Sequence, residues 1–332
     1  MTLRSSADTL ITVFGGSGFL GRHVVQALAK RKYRIRVAVR RPDLAGHLQP
    51  LGRVGQIQAV QANLRHRQSV AAAVSGSDIV INLVGILFER GRQRFETVQS
   101  VGAENVALAA AAHNARMIHV SALGAAPDCR SAYGRAKWRG EELVLAAVPG
   151  AVVFRPSIMF GPNDDFFNRF AAMAQISPVL PLIGGGRTRF QPVFAGDVAE
   201  AIAMAADGYA EAGATYELGG PEVFTFKELM AQVLTITRRR RLLAPLPFGL
   251  AKVGALGFEI VSALAPLPFL STPILTRDQV DMLRHDNVVS RDAAASGRTL
   301  EGLGITAHPV GEIVPTYLWR FRTAGQFHDR VA

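Results

Sequence analysis

Tyr133 and Lys137 are four residues apart, the spacing that sets two side chains on one face of a helix. An ammonium beside a phenol favours the phenolate, so the pair can exchange a proton with a substrate hydroxyl or carbonyl. Ser121, upstream of both, is placed to hold the reacting oxygen. Lys137 could equally serve only as a ribose ligand, with Tyr133 a packed aromatic. A second constellation is the run Gly15-Gly16-Ser17-Gly18-Phe19-Leu20-Gly21. Its glycines let the backbone turn tightly and approach a ligand with no Cβ in the way. Where such a turn opens a helix, the free N–H groups favour a phosphate. Arg40 and Arg41 close a strand at the point where an NAD-binding protein places a carboxylate on the ribose 2′-hydroxyl. Arginine there suits a 2′-phosphate, which favours NADP(H) over NAD(H).

These residues need a scaffold that brings them together. The pattern predicts strands at Leu10–Phe14, Arg34–Val39, Ile57–Ala62, Asp78–Gly85, Met117–Ser121 and Val152–Pro156. Between them lie a helix through Val24, Val25 and Leu28, an alanine-rich helix from Glu96 to Asn114, and a helix from Tyr133 to Ala147. Alternating strands and helices predict an α/β fold with a doubly wound parallel Rossmann sheet, because parallel neighbours need crossover connections. Ligands of such sheets bind beyond the carboxyl ends of the strands. The glycine turn, Arg40, Asn63, Val84, Ser121 and Pro156 all fall at such ends. The second half is less regular: a helix from Phe166 to Gln175, one through Met204 with Asp197 as N-cap, and a capping box at Thr225–Glu228. This pattern predicts a Rossmann domain of residues 1–160 and about 193–220, and a smaller C-terminal α/β domain of 161–192 and 221–332, of the substrate-binding type.

Composition narrows the functional classes. At 332 residues, 49% hydrophobic and 19% charged, the chain is globular rather than disordered. One cysteine, Cys129, excludes an internal disulfide framework and suits a reducing compartment. The net charge of +11 comes from scattered arginines without interleaved aromatics, which argues against nucleic acid. The eight histidines make no metal-ligand spacing, so no metal is expected. Arg238 to Arg241 precede an apolar stretch, Leu242 to Leu270, whose prolines leave a central segment shorter than the ~20 residues of a membrane span. Residues 238–270 therefore read as a core helix or as a helix lying on an anionic membrane surface.

With these residues placed, the chain resembles the extended or atypical short-chain dehydrogenase/reductase superfamily. The resemblance lies in Gly15-x-x-Gly18-x-x-Gly21, Asn63-Leu64, Asn82-Leu83-Val84-Gly85, Tyr133-x-x-x-Lys137 and Arg155-Pro156. It implies cofactor contacts at Asn63, Leu64, Val84, Gly85, Pro156 and Ile158 as well as at the glycine turn. A narrower resemblance is carried by His119–Ala125, Arg155–Phe170, Phe190-Gln191-Pro192-Val193 with Asp197-Val198, and Leu275–Val280. These runs are similar to the nucleotide-binding accessory subunits of respiratory complex I. That likeness implies a tightly held NADPH of largely structural role and peripheral-arm subunits of complex I as partners. It also implies contact of 238–270 with the membrane or its subunits. With no presequence-like start, a peripheral location on the cytoplasmic, inner face of a bacterial plasma membrane is expected. The intact Ser121, Tyr133 and Lys137 keep an active NADPH-dependent reductase or epimerase as the alternative.

Overall fold

The computed structural model describes residues 5–264 and 275–324, without the side chains of 260–264. The chain opens with β1 (Leu10–Phe14), α1 (Phe19–Lys30), β2 (Arg34–Val39), β3 (Ile57–Gln61), α2 (Arg67–Val74), β4 (Ile79–Asn82), α3 (Val101–Ala112), β5 (Arg116–Val120), α4 (Ala132–Ala147) and β6 (Val152–Pro156). It continues through β7 (Met159–Phe160), α5 (Phe166–Ile176), β8 (Val179–Ile183), β9 (Arg189–Phe190), β10 (Val193–Phe194), α6 (Ala195–Asp207) and β11 (Thr215–Leu218). Then follow β12 (Phe224–Thr225), α7 (Phe226–Thr237), β13 (Leu242–Leu246), α8 (Phe248–Leu264), α9 (Arg277–Met282) and several short helical turns.

Seven strands form one parallel sheet in the order β11-β6-β5-β4-β1-β2-β3. The order reverses at β1, between β2 and β4, which is where a doubly wound sheet opens its crevice. Both faces are covered. On one, Val24, Val25 and Leu28 of α1 pack with Val198 and Ile202 of α6; on the other, Val106 and Ala110 of α3 pack with Val144 of α4. Burial on both faces explains the unbroken apolar runs of the central strands. A third cluster, around Phe160, Phe167, Phe226, Met230 and Val314, is built from β7, α5, α7 and the C-terminal helical turns. Short strand pairs lie outside the large sheet, β8 with β13, β9 with β12 and β7 with β10.

Three sequence expectations need correction, and one strand was not expected. The fourth strand stops at Asn82, because its carboxamide oxygen takes the Val84 N–H at 3.2 Å in place of a ladder partner. The helix expected from Glu96 opens as a π-helical turn, Glu96–Ser100, before α3. Its bulge meets α4 closely, since a Cβ on Gly140 would lie 2.2 Å from the Gln99 carbonyl oxygen. Asp197 is in the first turn of α6, not its N-cap, and its carboxylate accepts from the His308 backbone N–H and pairs with His308 Nδ1 at 2.7 Å. The seventh strand, β11, is a four-residue edge strand whose alternation is too short to stand out in the sequence.

Candidate nucleotide site

The glycine turn leaves β1 under the constraint of its neighbours. Gly15 has φ +79°, which a Cβ would strain, and its carbonyl accepts from Gly18 N–H at 3.0 Å. A Cβ on Gly21 would lie 2.3 Å from Gly15 O and 2.5 Å from the Gly16 carbonyl carbon. Gly21 therefore lets α1 rise directly under the turn. Gly18 differs: it is exposed, with ordinary φ −75°, and a Cβ there would meet only Gly15 O at 3.2 Å. Gly18 is the N-cap of α1 and carries no capping side chain, and the first turn has no acidic residue. Open N–H groups, the positive end of the helix dipole and no competing carboxylate make a cradle for an anion. On this ground the residues fit the pyrophosphate of a dinucleotide.

The other strand ends surround that cradle. β2 flanks it, with Gly15 N–H donating to Ala38 O at 3.3 Å, and Arg40 stands exposed at its end. Arg41, also exposed, is engaged with Asp43 at 2.8 Å. Asn63, after β3, turns back on its own chain: its carboxamide oxygen accepts from Arg65 N–H at 3.2 Å. Leu64 is buried against the Gly102 backbone of α3. Val84 touches the turn, since its Cγ2 would be 3.2 Å from a Cβ on Gly15. Pro156 ends β6, and Ile158 donates its N–H to Asn287 Oδ1 at 3.0 Å. Ser17, Phe19 and Leu20 belong to the turn and the first residues of α1, with the Phe19 ring edge-on to His23.

Ser121, Tyr133 and Lys137 come from the end of β5 and the start of α4. The Ser121 hydroxyl is buried with no hydrogen-bond partner in the described structure. Lys137 is buried and donates to Val120 O at 3.0 Å. Burial pushes its pKa down to about 8, only partly offset by Glu141 one turn on. Tyr133 packs its ring edge-on to Phe95. Its phenol is pushed up to about 12, first by burial and second by the Asp278 carboxylate. Burial and the Asp278 carboxylate, rather than Lys137, set the direction of this shift.

Several residues of the site escaped the sequence reading. Gln99 sits in the π turn with both amide atoms buried and unpartnered. A Cβ on Gly85 would lie 3.5 Å from Gln99 Oε1 and 3.3 Å from Lys137 Nζ, so the exposed Gly85 backbone covers both groups. His119 is buried beside Asn82, with Nδ1 3.3 Å from the Asn82 amide nitrogen and Nε2 unpartnered. Burial, and next the Lys137 charge, push its pKa down to about 3, so it is neutral. The π turn was invisible because a bulge has no composition of its own. Unfilled polar groups buried at strand ends fit a polar ligand such as a ribose or carboxamide.

The family model of the NAD dependent epimerase/dehydratase family matches residues 11–219, which hold the turn, the strand ends and the Tyr133–Lys137 helix. The chain belongs to that family. Within it, the chain is 37% identical over 327 residues to the mitochondrial NADH dehydrogenase (ubiquinone) 1 alpha subcomplex subunit 9 of Arabidopsis thaliana, covering 97% of this chain and 80% of that protein. It is 30% identical to the mitochondrial NADH-ubiquinone oxidoreductase 40 kDa subunit of Neurospora crassa, over 94% of this chain and 79% of that one. The same fold occurs in the NADPH-dependent quinone oxidoreductase of Escherichia coli, solved with NADPH: TM-score 0.70, 19% identity, 93% of this chain and 99% of that one.

Proposed function

We propose that this chain is an NADP(H)-holding accessory subunit of a respiratory NADH:quinone oxidoreductase, its nucleotide mainly structural. The observation that carries this is the likeness to subunit 9 along 97% of the chain, joined to a glycine cradle free of acidic side chains. The nucleotide would be held by Gly15, Gly16, Ser17, Gly18, Phe19, Leu20 and Gly21 at its pyrophosphate. Arg40 and Arg41 would take the 2′-phosphate. Asn63, Leu64, Val84, Gly85, Pro156 and Ile158 would line the rest, and Tyr133, Lys137 and Ser121 would meet the nicotinamide end. When bound, the nicotinamide supplies hydride chemistry; the protein side of a turnover would be the Tyr133 proton. A phenol raised to about 12 is the proton-donating form, so the protonation of Tyr133 is compatible with both holding and turnover.

The smaller domain, 161–192 and 221–332, would face the partners: peripheral-arm subunits and the inner face of a bacterial plasma membrane. Two features support a peripheral position. Among the described residues no helix is long and apolar enough to cross a membrane. Leu250, Val253, Leu256 and Phe258 of α8 are exposed, Val253 to 70%. Native electrophoresis of gently solubilised membranes tests the assignment: the chain should migrate with NADH:quinone oxidoreductase, and Tyr133→Phe should leave assembly intact. The second reading, an active NADPH-dependent reductase or epimerase, is favoured by the intact Ser121, Tyr133 and Lys137. A substrate-dependent NADPH oxidation lost in Tyr133→Phe would establish it instead.

A further inference from the structure

Residues 276–289 run between α8 and the nucleotide site and grip the site at two points. At the first, Asp278 of α9 accepts from Ser131 Oγ at 2.7 Å, Ala132 N–H at 2.6 Å and Tyr133 N–H at 3.3 Å. These are groups of the first turn of α4. Ser131, the resident N-cap, uses its hydroxyl oxygen to accept from Gly134 N–H at 3.2 Å and leaves the earlier N–H groups to Asp278. A carboxylate there also meets the positive end of the helix dipole. At the second grip, Asn287 Oδ1 accepts from Ser157 Oγ at 2.6 Å and Ile158 N–H at 3.0 Å, and its Nδ2 donates to Leu123 O at 3.3 Å. The segment thus spans the ends of β5 and β6 and the start of the helix that carries Tyr133 and Lys137.

Its other side is fastened to α8. Lys252 pairs with Asp281 at 2.7 Å, Glu259 with Arg277 at 2.8 Å, and the Arg284 guanidinium lies 4.4 Å from the centre of the Phe248 ring. The apolar contribution is a cluster of Ile183, Ala251, Ala255 and Val280 with the partly buried Leu246, Phe248, Leu275 and Leu283 packed against it. Half of these side chains are only partly buried, so the polar grips share in ordering the segment, and such segments open locally at lower cost than a sheet core.

We propose that Asp278 is a positioning residue of the nucleotide site: from α9 it fixes the first turn of α4, and with it Tyr133 and Lys137, so that nucleotide binding and the order of α8–α9 are coupled. The coupling presupposes the nucleotide-holding role proposed above. A nucleotide that engages Tyr133 and Lys137 rigidifies the turn to which Asp278 is bonded, and linkage makes the effect reciprocal. No change of shape is required, because ordering one partner lowers the entropy cost of ordering the other. The exposed apolar face of α8 would then be presented in its ordered form when nucleotide is bound.

Hydrogen exchange of the full chain with and without NADPH tests this, alongside NADPH affinity by fluorescence. In the parent, NADPH should slow exchange in the glycine turn, in the first turns of α4, and in 276–289 and 248–259. Asp278→Ala should weaken NADPH about tenfold, which is ~1.4 kcal/mol, and should lose the slowing in 276–289 and 248–259 while keeping it in the glycine turn. Asp278→Glu should recover both. A merely structural cap would lower the melting temperature without removing the nucleotide-dependent protection. Slowing at the turn and α4 of the parent with none in 276–289 overturns the proposal, as does parental NADPH affinity in Asp278→Ala. If Asp278→Ala does not fold, the parental exchange pattern and Asp278→Asn decide the matter by the same criteria. Absence of NADPH binding to the parent overturns the nucleotide-holding role, and the coupling with it.

Discussion

Gly18 and Gly21 should separate the two duties of the turn, nucleotide binding and folding. A methyl on Gly21 has nowhere to go: its carbon would sit 2.3 Å from Gly15 O and 2.6 Å from Gly16 Cα, backbone atoms that cannot rotate away. Relieving such overlap requires α1 to shift from the turn, and overpacking of this kind costs roughly 1–3 kcal/mol. Gly21→Ala should therefore destabilise the chain by about that much before any nucleotide is added. At Gly18 the nearest atom to a new Cβ is Gly15 O at 3.2 Å, and φ −75° suits any residue. Gly18→Val should cost the nucleotide-free chain only ~1 kcal/mol, for a poorer N-cap. Its side chain would instead occupy the anion cradle. Loss of one or two charge-assisted hydrogen bonds weakens binding by about 1.5–3 kcal/mol each. Denaturant unfolding with and without NADPH reads both quantities at once, since ligand at 100 times its Kd adds about 2.7 kcal/mol to the parent. The increment should vanish in Gly18→Val, while Gly21→Ala should lower the baseline. If Gly18→Val binds NADPH like the parent, or destabilises the free chain more than Gly21→Ala, the assignment of the cradle is wrong.

NADPH should bind more tightly than NADH, and changing Arg40 and Arg41 to alanine should weaken NADPH selectively, by about 1.5–3 kcal/mol per charged hydrogen bond lost; equal affinities in the parent would remove the basis for the choice. Lys137 binds its proton less tightly folded, at about 8, than at its ordinary value of 10.5. Between those values the unfolded chain holds more protons, so Lys137 makes stability rise with pH there, and Lys137→Met should remove that component from chemical-unfolding profiles. The same change should raise the stability of the nucleotide-free chain at pH 7 and weaken NADPH; an unchanged profile would show that the lysine is not buried as described. Arg240→Gln should weaken sedimentation with anionic vesicles at low salt with little effect on stability. Arg239→Gln and Arg241→Gln should in addition destabilise the fold by roughly 0.5–1.5 kcal/mol each. No vesicle binding by the parent at any salt concentration would refute direct lipid contact.

The sheet was legible because strands buried on both faces write their burial as continuous apolar runs, and because a glycine turn between strand and helix has few other uses. What was not legible is long-range. Asp278 reaches α4 across more than a hundred residues of chain, and neither its type nor its spacing announces a partner there. Tyr133 is a second case: spacing reports that Lys137 shares its helix face, and nothing in it announces the α9 carboxylate of Asp278 that, after burial, pushes the phenol up. The four arginines are a third case. They read as one block of charge, yet Arg239 Nε donates to Phe321 O at 3.0 Å and Arg241 Nε to Ala174 O at 2.8 Å. Each holds a backbone carbonyl, and Ala174 lies in the last turn of α5, where cations are favoured by the helix dipole. The part of 238–270 open to a partner is therefore chiefly the apolar face of α8, with residues 265–270 outside the described structure.

The state of Lys137 bears on what the bound nucleotide does. A lysine whose pKa is pushed down to about 8 by burial is held at neutral pH as a desolvated ammonium, an arrangement that costs stability unless something returns it. One hydrogen bond, to Val120 O, meets a group with three donors. Gln99, beneath the same Gly85 backbone, has a buried amide without partners, and the Ser121 hydroxyl is likewise unmatched. Three buried polar groups thus lack a full set of partners, each expensive to leave unmade, and a polyhydroxyl ligand would recover them. On the proposed reading, such a chain would gain fold stability from nucleotide occupancy itself, by mass action, whether or not a hydride is ever transferred. Lys137 and Ser121 would then serve a structural nucleotide as well as a reacting one, and the effect of Tyr133→Phe is what separates holding from turnover.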